Sequence, residues 1–212
     1  MWTSNCTPSR LSVSPVPPRI HALEGYASLR ITAGEEASRT KFSFVFSLPR
    51  RGLVTVSDFL GRTLYKILVL PENAYFVVPS KKLYWSGREE EIIEKFLGFP
   101  LNLEEAVRFL SGRWDRSSLP GRLEGWTFQR DEQGRVVYGR RHDLFFSIEE
   151  FAEDSSQMKS LTYFHHYSRG RLKILQLHFN PEVRTGAFDS EFLNSYLKTD
   201  WEEIQNLLNN AY

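Results

Sequence analysis

The sequence predicts an α+β fold: an antiparallel sheet with a pair of short helices inserted mid-chain and a helical extension at the C-terminus. Three observations predict it. Apolar and polar residues alternate through most of the chain, which is the period of a strand with one buried face. Residues 86–113 abandon that alternation for helical spacing. The aromatic share is high, with 16 Phe, 9 Tyr and 5 Trp, side chains that suit a pleated surface.

The elements follow in order. Residues 1–19, "MWTSNCTPSRLSVSPVPPR", read as a flexible Ser/Pro-rich tether, and residues 20–212 as a single domain. Leu23, Gly25, Ala27, Leu29 and Ile31 share one face of a first strand. In "KFSFVFSL", Phe42, Phe44, Phe46 and Leu48 do the same, and "AGEEAS" between the two is a polar hairpin loop. "LPRRGLVTV" turns at Pro49–Gly52 and opens a third strand through Val54 and Val56. "RTLYKILVL", which carries Leu64, and "AYFVVP", which carries Tyr75 and Val77, are two more strands bounded by "PEN" and Pro79. "KKLYWSG" is a short sixth.

The helical segment runs from about 86 to 113. Ser86 with Glu89 fits a capping box, and Ile92, Ile93, Phe96 and Leu97 recur at helical spacing. Gly98 stops that helix and Pro100 bars its continuation. Asn102 with Glu105 caps a second helix, in which Leu103, Ala106, Val107 and Leu110 form one stripe before Gly112 ends it. Strands then resume. "GWTFQR" and "RVVYGRRHDLFFSI" flank the turn "DEQG", and "SLTYFHHYSR" and "RLKILQLHF" flank "RG". In the last strand the apolar parity shifts between Ile174 and Leu175, which predicts a β-bulge. The tail after 184 reads as helical, with Phe192, Tyr196 and Leu197 a turn apart and Ile204, Leu207 and Leu208 following.

Composition narrows the chemistry. The 27 basic and 26 acidic residues leave a net charge of +1, without the concentrated basic surface that nucleic acid requires. The one cysteine, Cys6, excludes an intramolecular disulfide and a multi-cysteine metal site. No apolar run approaches a membrane span, and the opening residues lack the n- and h-regions of a cleavable signal peptide. His165 and His166 are neighbours in a strand and are expected to face opposite sides; a cross-strand meeting of His165 with His178 is weighed against ordinary packing. His21 and His142 have no ligand spacing, and the three acids of "REEE" (88–91) suit a first helical turn. No nucleophile elbow, P-loop or dinucleotide fingerprint is present. The expectation is a non-enzyme with no cofactor and no metal; were it an enzyme on a lipid-like substrate, His165 would be the first residue to examine.

The sheet carries more apolar surface than a short helical pair can cover. Two arrangements remain open: helices packed on one face as a solid core, or a curved sheet whose helices cover a cavity for an apolar ligand. Cavity and lid candidates are Phe42, Phe44, Phe46, Val54, Val56, Leu64, Tyr75, Val77, Ile92, Ile93, Phe96, Leu97, Leu103, Val107 and Leu110.

Three segments resemble the LolB family, outer-membrane receptors that take lipoproteins from the periplasmic carrier LolA. "SDFLGRTLYKILV" (57–69) is similar to the family's strand–"PLG"–strand segment. "ENAYFVVPSKKLYWSGREEEIIEKFLGFPLNLEEAVRFLSGRW" (72–114) has its order of strands, helix, "LxGxPxxL" turn and second helix, and "GRVVYG" (134–139) resembles its post-helix hairpin. The resemblance spans about 20–183. It implies an incompletely closed antiparallel β-barrel with a helical lid, acyl chains of lipoproteins held in the cavity, a LolA-like carrier as partner, and a monomer in the periplasm. It also implies that Leu60, beside Phe59, is the exposed loop residue that hands lipoprotein to the membrane. Cys6 is the lipidation candidate that would anchor the protein to the inner leaflet of the outer membrane; its alternative is a free thiol in a disordered tail. The sequence departs from the family in three places: Phe59 stands for its Pro, "TSN" before Cys6 is a poor lipobox, and residues 184–212 have no counterpart. The competing reading is a non-catalytic envelope assembly protein with a solid core and a C-terminal helix that docks a partner.

Overall fold

The computed structural model describes residues 17–34, 36–114, 125–153, 155, 157–166, 168–184 and 186–209, so Cys6 lies outside the described residues. One meander contains β1 (Ala22–Ala33), β2 (Glu36–Ser47), β3 (Arg51–Ser57), β4 (Thr63–Val69), β5 (Ala74–Val78) and β6 (Leu83–Gly87). Then come α1 (Glu89–Leu97) and α2 (Leu103–Ser111). A second meander contains β7 (Thr127–Arg130), β8 (Val136–Arg141), β9 (Leu144–Phe151), β10 (Met158–His165) and β11 (Ser168–Phe179), followed by β12 (Leu197–Lys198) and α3 (Trp201–Asn209). The two meanders join through an antiparallel β1–β11 ladder, giving the order β12-β6-β5-β4-β3-β2-β1-β11-β10-β9-β8-β7. β12 and β7 do not pair, so the sheet is curved but not closed.

The alternation read from the sequence sets the concave face. Leu23, Ala27, Leu29, Phe42, Phe44, Phe46, Val54, Val56, Ile67 and Phe76 share one core with Ile92, Phe96, Leu103 and Val107 of the helices. The bulge lies where parity shifts: Tyr26 pairs with Gln176 and Ala27 with Ile174, which leaves Leu175 unpaired. Curvature has a recurring local cause. Four glycines stand directly across a ladder from an aromatic ring, in the pairs Gly25–Phe44, Gly52–Phe46, Gly139–Phe146 and Gly170–Tyr163. Each ring lies over the glycine; a Cβ on Gly170 would meet the Tyr163 ring at 1.9 Å and one on Gly139 would meet Phe146 at 2.4 Å. Such pairs let the sheet bend toward the side the rings occupy.

Three local expectations are corrected. α1 begins after Arg88, whose backbone amide and guanidinium both donate to the Glu91 carboxylate, and Ser86 instead pairs with Tyr75 inside β6. "RVVYGRRHDLFFSI" is two strands, split by a tight turn at His142–Asp143 in which His142 has φ +54°. The tail is not continuously helical. It makes a single 3₁₀ turn at Glu191–Ser195, runs beside β6 as the parallel strand β12, and only then forms α3. Its path crosses the sheet edge. The Lys66 ammonium lies 5.8 Å from the Phe192 ring centroid on the convex side, while Trp201 packs on the concave side, 5.3 Å from Phe76 and 5.4 Å from Trp85. Ile204 is fully buried in the core. The Leu197 and Thr199 amides donate to the Lys82 and Tyr84 carbonyls, each at 2.8 Å, so β6 is not left as a bare edge.

Candidate functional site

A small apolar cavity lies between the concave face and the helices, with a volume of about 40 Å³. Of the residues expected there, Phe42, Phe46, Val54, Ile93, Phe96, Leu97, Leu103 and Leu110 line it. Phe44, Val56, Ile92 and Val107 belong to the surrounding core, and Leu64 is packed against it; none of the five reaches the cavity. Tyr75 and Val77 are corrected outright: alternation along β5 turns them to the convex face, opposite Ala74 and Phe76. Gly52, Ile67, Val69 and Ala106 also line the cavity, and Phe99, Phe109, Tyr163 and Leu172, which the sequence does not single out, complete the wall. Phe99 sits in the inter-helix linker, and the others are contributed where β10, β11 and α2 converge. Pockets for small ligands run to about 300–1,000 Å³. The closed cavity is therefore too small for an acyl chain, and a chain enters only if the helices move.

The two helices differ in how they are held. α2 is buried on nearly every side, including Glu105, Arg108 and Ser111. Glu105 explains part of this. Its carboxylate accepts from the Asn102 amide at 3.2 Å and from the Trp126 indole at 3.1 Å, and it pairs with Arg141, whose guanidinium also lies over the Trp126 ring. α2 is thus a fixed wedge rather than the outer half of a lid. α1 exposes Glu90 and Lys95 and buries Ile92, Ile93 and Phe96. It ends on Gly98 at φ +84°, a left-handed cap that favours glycine. Two side chains of β10 grip that end: the Tyr163 hydroxyl donates to the Leu97 carbonyl at 2.6 Å, and His165 Nδ1 lies 2.9 Å from the Gly98 carbonyl. Burial pushes the Tyr163 phenol well above its ordinary range, so it stays a donor. At the other end, Glu89 accepts from the Leu103 amide at the start of α2, and burial raises its carboxyl above the usual value despite that bond.

The β3–β4 hairpin carries the second feature. Asp58 accepts from the Leu60 amide at 2.8 Å and the Arg62 amide at 2.9 Å, and its other oxygen binds Arg62 Nε at 2.6 Å. Gly61, at φ +79°, donates back to the Asp58 carbonyl. Partial desolvation works against ionisation of Asp58, but the hydrogen bonds from Arg62 and Leu60 hold its carboxyl below the ordinary value. On this fixed tip Phe59 is 93% exposed and Leu60 64% exposed. The chain contains its own control. The β7–β8 hairpin repeats the pattern D-x-x-G-R as Asp131–Arg135, with the same aspartate-to-backbone bonds, the same Arg–Asp bridge and Gly134 at φ +76°. Its tip carries Glu132 and Gln133. The turn therefore needs no apolar residue at those two positions, and Phe59–Leu60 is not explained by folding.

The histidine expectations are revised. His166 lies just past β10 with φ +50°, which swings its side chain to the same side as His165; their ring centroids are 4.1 Å apart. His165 is opposite Ser168 at the hairpin tip, whereas His178 is near the far end of β11, opposite Glu24. The two do not meet.

No family model matches this sequence, and no curated protein matches it. Solved structures do resemble the fold. A DUF1329 family protein from Desulfovibrio piger superposes with a TM-score of 0.50 at 10% identity, over 82% of this chain and 92% of that one. A LolA superfamily protein from Nitrosomonas europaea gives 0.48 at 9% identity, over 81% and 91%. An outer membrane lipoprotein-sorting protein domain from Vibrio parahaemolyticus gives 0.49 at 9% identity, over 81% and 91%. At such identities the first comparison establishes a shared architecture and nothing about activity, and the other two are weaker still. In architecture, then, this chain is similar to the Desulfovibrio piger protein: an open, curved sheet with helices on its concave face.

Proposed function

We propose that this protein is a non-catalytic handler of lipoprotein acyl chains in the bacterial envelope, resembling LolB, with the β3–β4 tip entering a membrane and α1 opening over the apolar cavity. The observation that carries the reading is Phe59–Leu60, exposed on a hairpin whose twin holds the same shape with Glu132–Gln133. An exposed pair of large apolar residues on a stiff tip is a surface suited to a lipid or protein partner. Fully burying Phe and Leu is worth about 1.5–3 kcal/mol each. The wall beneath α1 is wholly apolar, which is the surface an acyl chain needs once α1 has moved aside. In this reading a LolA-like carrier delivers the cargo, the protein acts as a monomer in the periplasm, and Cys6, if lipidated, anchors it to the inner leaflet of the outer membrane.

The test is a tip exchange. Phe59→Glu with Leu60→Gln copies the twin loop, so the fold is expected to survive. Binding to phospholipid vesicles by flotation is expected to fall at least tenfold, with thermal stability unchanged. Equal flotation of the two proteins would sink the membrane role of the tip.

A second reading is favoured by one observation, the 40 Å³ volume of the closed cavity. On that reading the concave face is a solid core and the protein is an envelope assembly factor. Failure of the wild type to take up a fluorescent acyl probe, together with loss of partner capture on deleting residues 186–212, would favour it.

A further inference from the structure

The tips of two neighbouring hairpins bring Asp143, His165 and His166 together. β9 and β10 are antiparallel neighbours, and Leu144 pairs with His165, so the β8–β9 turn at His142–Asp143 lies beside the β10–β11 turn. Asp143 Oδ2 is 2.9 Å from His166 Nδ1, and Asp143 Oδ1 is 3.8 Å from His165 Nε2. One ligand atom from each residue lies within 4.8 Å of the others. Both turns reach this arrangement through unusual backbone, with His142 at φ +54° and His166 at φ +50°. Without the left-handed turn at His166, the two imidazoles of adjacent strand residues would diverge.

We infer that Asp143, His165 and His166 form a binding site for a divalent transition metal of the zinc class, and that the bound metal ties both hairpin tips to the α1–α2 junction. The donor set is two imidazoles and one carboxylate, which suits Zn²⁺ with the remaining positions taken by water. Metal–ligand bonds of about 2.0–2.2 Å place the donors of a tetrahedral site roughly 3.3–3.6 Å apart. The two contacts of Asp143 lie either side of that span and all three donors lie within 4.8 Å of one another, so side-chain rotations bring them to it. His165 already has the outer partner that a metal-bound imidazole requires. Its Nδ1 faces the Gly98 carbonyl at 2.9 Å, so the proton sits there and the lone pair sits on Nε2, toward Asp143. The same bond is the tie to the junction, because Gly98 is the residue that ends α1. His165 is nearly buried, whereas His166 and Asp143 are open to solvent, so an ion can enter. This inference does not depend on the lipid reading.

The experiment titrates Zn²⁺ into untagged protein carrying Cys6→Ser, which removes the thiol as a competing ligand, by calorimetry. Hydrogen exchange at residues 97–103 is followed with and without metal. Saturable binding of one Zn²⁺ per chain is expected, weakened at least tenfold by His166→Ala and by Asp143→Asn, two substitutions at exposed positions. Exchange at 97–103 is expected to slow with metal in the parent and not in the variants. Absence of saturable binding, or binding unchanged in both variants, overturns the site. Binding without slower exchange overturns the tie to the junction.

Discussion

Tyr163→Phe isolates the grip of the sheet on α1. The ring stays where it is, over Gly170 and 4.6 Å from Phe99, so no cavity opens. Only the hydroxyl is lost, and with it the 2.6 Å bond to the Leu97 carbonyl at the C-terminal end of α1. An intramolecular hydrogen bond is worth about 0.5–1.5 kcal/mol net, and the stranded carbonyl adds to the cost, so a loss of about 1–1.5 kcal/mol is expected. For a domain of this size that lowers Tm by roughly 2–6 °C. If opening begins at α1, the same energy raises the open population roughly tenfold. Amide exchange of residues 92–101 is then expected to accelerate by that factor, while the β1–β11 ladder accelerates much less. Thermal unfolding with residue-resolved hydrogen exchange measures both quantities. Exchange in α1 within twofold of wild type, or equal acceleration across the whole sheet, would refute the idea that α1 opens locally and that Tyr163 holds it.

The remaining predictions address packing and the fixed wedge. Gly170→Ala places a Cβ 1.9 Å from the Tyr163 ring, so a loss of about 1–3 kcal/mol is expected by urea denaturation; adding Tyr163→Ala is expected to relieve the clash and make the pair non-additive. Glu105→Ala removes the acceptor of the Asn102 amide, the acceptor of the Trp126 indole and the partner of Arg141 together, while the Asn102 cap itself remains. It is expected to cost about 2–4 kcal/mol in chemical denaturation, because the buried indole loses its acceptor and Arg141, which keeps its 3.1 Å bond to the Pro100 carbonyl, loses its ion-pair partner. Asp58 has a depressed carboxyl, so its contribution is present above the unfolded value and is lost as pH falls through the lower folded one. NMR shifts of the Leu60 and Arg62 amides are expected to stay constant from neutral pH down past the ordinary carboxylate range and to move only below it.

Much of the fold was legible because one face of nearly every strand is buried, so alternation survives in the sequence. Most helix ends were equally plain: Gly98, Pro100, the Asn102–Glu105 box and Gly112 each leave a local chemical mark, whereas Ser86 read as the start of α1 and is instead paired in β6. The bulge at Leu175 was visible because a parity shift flips every later side chain. What was hidden depends on distant partners or on unusual backbone. The turn at His142–Asp143 has no Gly or Pro, so the two strands read as one, and the neighbouring turn at His166 concealed that two adjacent imidazoles share a side. β12 exists only because β6 offers an edge, a contact more than a hundred residues away in sequence. Alternation also says which face is apolar but not how full it is, which is why filled and hollow sheets could not be told apart. Glu105 and Arg108 lie off the apolar stripe of α2, and nothing local marks them as buried; Trp126 and Arg141 reach over Glu105 from later in the chain, and both residues are buried. One mark was present and unused: the repeated D-x-x-G-R, whose second copy shows that the first has no structural need for Phe59–Leu60.

That an acyl chain occupies the space under α1 is tested most directly by photo-crosslinking. A palmitoyl probe with a terminal diazirine is incubated with the protein, irradiated, and its adducts are mapped by peptide mass spectrometry. Adducts are expected on the cavity wall, at Phe96, Phe99, Leu103 or Phe109, with yield rising in Tyr163→Phe as α1 opens more often. Adducts confined to the outer surface, or a yield on the wall that does not respond to loosening α1, would contradict it.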